Sequence, residues 1–128
     1  MKVLIDTNTF LWWNTDAPQL SARAREIIAD GRNEVFLSAA SAWEIAIKTA
    51  KGKLTLPEDP ARYVVSRTGL YRFQALPVQV SHALRVYDLP RHHDDPFDRL
   101  LIAQSQIEGL PLITADTEIK KYEVEILW

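Results

Sequence analysis

The sequence predicts an α/β fold: a single domain over residues 1–128 with a mainly parallel central sheet of about five strands covered by helices on both faces. Three observations lead there. Short apolar runs such as Val3-Leu4-Ile5 lack a polar face, as strands buried on both sides do. They alternate with helical segments, which implies right-handed crossovers between parallel strands. A chain of 128 residues can bury roughly two-thirds of its unfolded surface, enough for one core without covalent staples.

Each element has its own signal. Val3-Leu4-Ile5 is the first strand, ended by Asp6. Trp12 and Trp13 follow, and adjacent tryptophans on a helix cannot both face one core, so one is expected at an interface. Ser21 to Asp30 reads as a helix, with Ala24, Ile27 and Ile28 on one face and Gly31 as its stop. Val35-Phe36-Leu37 is a second strand. From Ser38 a helical pattern runs to Lys51, with Ala39, Trp43, Ile47 and Ala50 along one stripe and Gly52 beyond its end. Asp59-Pro60 is an N-cap followed by a proline already in helical φ, opening a helix that ends near Gly69. Phe73 to Val80 contains a strand limited by Pro77; Ser81 then caps a short helix, His82 to Leu89, closed by Pro90. Asp95-Pro96 repeats the cap-plus-proline start for a helix reaching Glu108 before Gly109. Leu112-Ile113-Thr114 and Val124 to Leu127 supply the last two strands.

Composition narrows the chemistry. The chain is 47% hydrophobic and 25% charged, the balance of an ordinary water-soluble domain. It has no cysteine, which removes disulfides, thiolate zinc sites and a thiol nucleophile, and fits a reducing, cytoplasmic setting. No apolar stretch approaches the roughly 20 residues a membrane span needs, and Asp6 interrupts the N-terminus before a signal segment forms. With 15 Lys and Arg against 17 Asp and Glu, the formal charge of −2 excludes nucleic-acid binding through bulk positive potential. A polyanionic partner must be held locally.

Ligands of open parallel sheets bind at the carboxyl ends of the strands. Asp6 directly follows the first strand, and Asp116 follows Leu112-Ile113-Thr114 with only Ala115 between. Glu44 lies early in the helix after the second strand, and Asp98 in the first turn of the helix from Pro96, so all four can project at the same edge. Each also has an ordinary structural role. Ser41-Ala42-Trp43-Glu44 matches a capping box, and Glu44 with Lys48 is a favourable i, i+4 pair. Asp98 suits a helix N-terminus, and Asp6 and Asp116 suit turns. Together, four like charges at one edge would raise one another's pKa unless a cation offsets them. An all-carboxylate set, with neither Cys nor a helical His pair, selects hard cations such as Mg²⁺ or Mn²⁺, which polarise phosphoryl oxygens and activate water. Phosphodiester cleavage is the natural chemistry of such a set.

Four segments carry a resemblance across the chain: Val3-Leu4-Ile5-Asp6-Thr7-Asn8; Leu37-Ser38-Ala39-Ala40-Ser41-Ala42-Trp43-Glu44-Ile45; Asp95-Pro96-Phe97-Asp98-Arg99-Leu100-Leu101-Ile102-Ala103-Gln104; and Leu112-Ile113-Thr114-Ala115-Asp116. In this order they resemble PIN-domain ribonucleases, and within that group the VapC toxins of toxin-antitoxin pairs, with no departure at a core position of the pattern. The resemblance implies a PIN-like fold and a metal-dependent endoribonuclease in which Asp6, Glu44, Asp98 and Asp116 form an acidic quartet that holds Mg²⁺ or Mn²⁺. It implies that Thr7 and Thr114 add hydroxyl contacts and that Arg99 orients a carboxylate or meets phosphate. It further implies an RNA substrate, a cognate antitoxin and a homodimer.

Other candidates are weaker. Asp95 is expected to cap its helix rather than ligate a metal. His92-His93-Asp94-Asp95 is expected to be a solvated loop, and His82 a surface or half-buried residue. Lys48, Lys51, Lys53, Arg67 and Arg72 could steer phosphates, although solvated helix ends account for them better. Three other classes compete with the nuclease. A phosphoacceptor receiver domain wants an acidic pair after the first strand, which has a single Asp. A phosphatase of Asp-x-Asp-x-Thr type would have an acid where Asn8 stands in Asp6-Thr7-Asn8-Thr9. A non-catalytic protein whose acidic edge binds a basic peptide or a cation remains open.

Overall fold

A computed structural model describes residues 1–128. Five strands, β1 (Lys2–Ile5), β2 (Glu34–Ser38), β3 (Gln74–Leu76), β4 (Leu112–Ile113) and β5 (Ile126–Leu127), form one sheet in the order β3-β2-β1-β4-β5. Every pairing is parallel, with Val3 opposite Val35 and Leu4 opposite Leu112. Strand order reverses at β1, so the crevice between the carboxyl ends of β1 and β4 is the switch point where this architecture places ligands.

Alternation along β1 divides the core. Val3 and Ile5 point to one face, where Phe10, Ala24, Ile27, Ile28, Ile45 and Tyr63 pack. Leu4 points to the other, where it meets Leu76, Leu101, Ile102, Ile119 and Tyr122. The first face is covered by α1 (Thr7–Asn14), α2 (Ala22–Ala29) and α4 (Pro60–Tyr71), the second by α6 (Pro96–Glu108), against which α5 (Val80–Arg85) packs. Helix α3 (Ala39–Ala50) gives Ile45 to the first cluster and Ala40 to the second, so it closes the sheet at the end where β2 exits.

Several local expectations are corrected. Helix α1 starts immediately after Asp6, and both tryptophans on it are half-buried. Trp12 packs against Trp128 with centroids 6.0 Å apart, and Trp13 edge-on to Tyr71 at 5.4 Å. Both pack against the first core cluster, contrary to the expectation that adjacent tryptophans could not share one core. The capping box at Ser41 does not form: the cap of α3 is Ser38, whose Oγ accepts from Ala40 N at 3.0 Å, which places Ser41 and Glu44 inside the helix on its buried side. The apolar stripe of α3 therefore faces outward; Ala39, Trp43 and Ala50 are exposed and Ile47 half-buried. Helix α4 continues through Gly69 to Tyr71 and ends at Arg72, which takes the left-handed cap at φ 58°. Gln79, not Ser81, precedes α5, and the helix tightens to a 3₁₀ turn at Val86–Asp88. His82 is 1% exposed rather than at the surface. Its Nδ1 accepts from Gln79 N at 3.0 Å and its Nε2 lies 2.9 Å from Glu108 Oε2, so both ring nitrogens are partnered inside the fold.

Candidate active site

Asp6 is placed by two elements at once. As N-cap of α1 its Oδ1 accepts from Thr9 N at 2.8 Å, and its Oδ2 accepts from the Thr114 hydroxyl at 2.5 Å, across the β1/β4 crevice. Thr9 Oγ1 donates to the Ile113 carbonyl at 3.0 Å, which fixes the start of α1 over β4. Asp6 is buried, and burial raises its pKa against the opposing hydrogen bonds from Thr114 and Thr9, with the charge of Asp116 raising it further.

Thr114 also shapes the turn after β4. Its Oγ1 accepts from Asp116 N at 3.0 Å, and Asp116 Oδ1 accepts from Glu118 N at 2.8 Å, which leaves the half-buried Asp116 side chain beside Asp6. The turn role read from sequence and proximity to the acidic edge are therefore both realised by the same residue. On the other flank, Glu44 Oε1 accepts from the Thr7 hydroxyl at 2.6 Å, and its Oε2 is paired with Lys48. The Ser41 and Thr7 hydroxyls are 2.9 Å apart, so α1 and α3 are joined beside Glu44. The Glu44 carboxylate raises the pKa of Lys48 through their hydrogen bond.

Asp98 is presented by the first turn of α6, where Asp95 Oδ1 accepts from Phe97 N at 2.9 Å and Asp98 N at 3.0 Å. Asp95 is thus the cap, as expected. Asp98 is pushed up to about 8, first by burial and then by the negative charges of Asp95, Asp116, Asp6 and Glu44. All three other acidic candidates act on it, so the fold brings the four into one field. As the side chains stand, no three acidic or imidazole groups close on a single point in the manner of a completed metal site.

Two placements differ from expectation. Arg99 is buried and touches no carboxylate. Its Nη1 donates to the Pro90 carbonyl and to Tyr122 Oη, both at 2.9 Å, and its Nη2 to the carbonyls of Val86 at 3.2 Å and Leu89 at 3.3 Å. Five guanidinium donors let Arg99 collect a bend of backbone that has no regular partner, which outcompetes a surface role. His93 is not part of a solvated loop, because its Nε2 lies 3.3 Å from Asp98 Oδ2. The only sequence signal was its position five residues before Asp98, which does not by itself distinguish a contact from a loop. Trp43 and Phe97, each adjacent in sequence to one of the four acids, meet edge to face at 5.2 Å.

Burial and the charges of neighbouring carboxylates drive both Asp6 and Asp98 toward protonation, and oxygen donors of this kind suit a hard divalent cation. Fold and edge together define an α/β domain with an acidic switch-point crevice. The chain belongs to the PIN domain family, whose profile matches residues 3–125. Over 70 residues it is 49% identical to Ribonuclease VapC16 of Mycobacterium tuberculosis, a match covering 52% of this chain and 48% of that protein. The chain thus aligns with about half the length of this curated relative. The fold is shared with VapBC2 from Rickettsia felis bound to a DNA fragment from their promoter, at TM-score 0.71 and 14% identity over 98% of this chain and 97% of that one. It is shared also with FitAcB from Neisseria gonorrhoeae, at TM-score 0.63 and 22% identity over 98% and 96%. The PIN domain endonuclease Utp24 matches at TM-score 0.52 and 16% identity over 94% and 74%.

Proposed function

We propose that this chain is a single-domain, metal-dependent endoribonuclease, the toxin of a toxin-antitoxin pair, which hydrolyses RNA phosphodiester bonds in the cytoplasm with Mg²⁺ or Mn²⁺. The observation that carries the reading is the acidic edge at Asp98, where Asp116, Asp6 and Glu44 lie near enough for their charges to add to the effect of burial. Likeness to a protein named as a ribonuclease supports RNA as the substrate. No helix is long and apolar enough to cross a membrane.

Asp6, Asp98 and Asp116 are the groups that would hold the ion, with Glu44 beside them. A bound divalent cation supplies neutralisation of phosphate charge and activation of water. The chain's own residues do the remainder. Thr114 fixes one oxygen of Asp6 while the backbone of Thr9 fixes the other, so that ligand needs little reorganisation. Thr7 and Lys48 divide the oxygens of Glu44 between them, and the half-exposed ammonium of Lys48 is available to a substrate phosphate at the edge. An acidic crevice of this kind is complementary to an Arg or Lys side chain, which is how an antitoxin segment would restrain it; the same reading includes a homodimer. Incubation of the purified chain with RNA tests the proposal. Cleavage in Mg²⁺ or Mn²⁺ that stops in EDTA is expected, and uncut RNA under all conditions would leave a non-catalytic acidic surface.

A further inference from the structure

His93 and Tyr122 link Arg99 to Asp98 by a chain of hydrogen bonds whose direction can be worked out. Tyr122 Oη accepts from Arg99 Nη1 at 2.9 Å and from the backbone N–H of His93 at 3.3 Å, which occupies both acceptor positions of a phenol oxygen. Its one hydrogen is left for His93 Nδ1 at 2.8 Å; the competing acceptor, the His93 carbonyl, is at 3.5 Å. Nδ1 is therefore an acceptor, the ring hydrogen sits on Nε2, and Nε2 donates to Asp98 Oδ2 at 3.3 Å. The segment bearing the imidazole is held by Arg99, the residue after Asp98 on α6, through the carbonyls of Val86, Leu89 and Pro90.

We propose that His93 is a positioning residue for Asp98, fixed as the Nε2–H tautomer by the Arg99–Tyr122 pair. This rests on the reading of Asp98 as a ligand for a divalent cation. Oδ2 is the one oxygen of Asp98 reached by a protein donor, so the contact sets the carboxylate's rotation and leaves Oδ1 for the ion. Outer donors to ligating carboxylates typically change metal affinity by about 10- to 100-fold when removed. Arg99, to which the resemblance gave a direct contact with a carboxylate or phosphate, acts here only through Tyr122 and the backbone it collects.

Two measurements on the metal-free chain test this. The first is the ¹⁵N spectrum of the His93 ring, expected to show the hydrogen on Nε2 and to move toward a mixture of tautomers in Tyr122→Phe, which removes the only donor to Nδ1. The second is a thermal-shift titration with Mn²⁺ alone. His93→Ala should raise the Mn²⁺ concentration for half-maximal shift about 10- to 100-fold, and His93→Gln, whose amide N–H reaches the Nε2 position, should recover most of the loss. A ring hydrogen on Nδ1 overturns the proposal. So does a lowered melting temperature without Mn²⁺ in His93→Ala or Tyr122→Phe, combined with an unchanged Mn²⁺ midpoint, because that is what a purely structural residue gives. Absence of any Mn²⁺ shift in the unaltered chain overturns the cation-site reading itself, and the two failures are thereby separated.

Discussion

Asp98 stores the clearest consequence at the scale of single residues. Its carboxyl is pushed up to about 8 from an ordinary 3.8, so between these values the folded chain holds a proton that the unfolded chain has released. Unfolding free energy then falls as pH rises from about 4 to about 8 and levels off above, the reverse of a salt-bridged aspartate. Asp6 is shifted in the same direction. Melting curves of the metal-free chain should show this decline; Asp98→Asn should remove the part that Asp98 contributes, and Mg²⁺, by favouring the ionised carboxylates, should flatten it. Activity separates from stability at the same positions. Asp6→Asn keeps an equally good helix cap, so α1 and the melting temperature should survive while RNA cleavage collapses. The edge to which Asp6, Glu44, Asp98 and Asp116 project was legible from strand and helix ends, whereas the hydroxyl contacts of Thr7 and Thr114 were implied only by the family resemblance. His93 was not, since its contact depends on where Arg99 and Tyr122, in distant parts of the chain, draw the loop.

Among the elements, the N-terminus of α6 joins structural and electrostatic work in one residue. Asp95 caps the helix through Oδ1 and also raises Asp98 by its charge. Asp95→Asn should therefore keep stability nearly unchanged yet shift the pH-dependent decline to lower pH, whereas Asp95→Ala should cost about 1 kcal/mol through the lost cap. Urea titrations at two pH values distinguish the variants. Arg99→Lys should cost on the order of 3 kcal/mol, because one ammonium cannot serve four carbonyls and a phenol oxygen fanned around a guanidinium. Strands and most helices were readable from apolar runs and cap-plus-proline starts. The outward stripe of α3 was misread, since Ala39, Trp43 and Ala50 have the spacing of a core face while the buried side carries Ser41 and Glu44 for the site. Hydrophobic periodicity gives the wrong face when a helix turns polar groups inward. Gly69 misled in a similar way, because Arg72 took the left-handed cap three residues later.

For the whole molecule, the five-strand parallel sheet follows from the alternation of strands and helices, and its switch point between β1 and β4 places Asp6 and Asp116 at one edge. A cation that binds only this folded edge adds about 2.7 kcal/mol at a hundredfold excess over Kd. The melting temperature should rise with Mn²⁺ in the unaltered chain and not in the Asp6→Asn, Asp116→Asn double variant. An equal rise in both would put the cation elsewhere. Whether the acidic edge or a histidine cuts RNA is recorded in the ends of the cleaved strands. Attack by an activated water in line with the 3′-oxygen leaves 3′-hydroxyl and 5′-phosphate ends, formed in Mg²⁺ or Mn²⁺ and absent in EDTA. Attack by the neighbouring 2′-hydroxyl, with His82, His92 or His93 as base, leaves a 2′,3′-cyclic phosphate and a 5′-hydroxyl without any metal. End-group analysis of products from the purified chain should give the first pair; cyclic phosphate ends formed in EDTA would contradict the account.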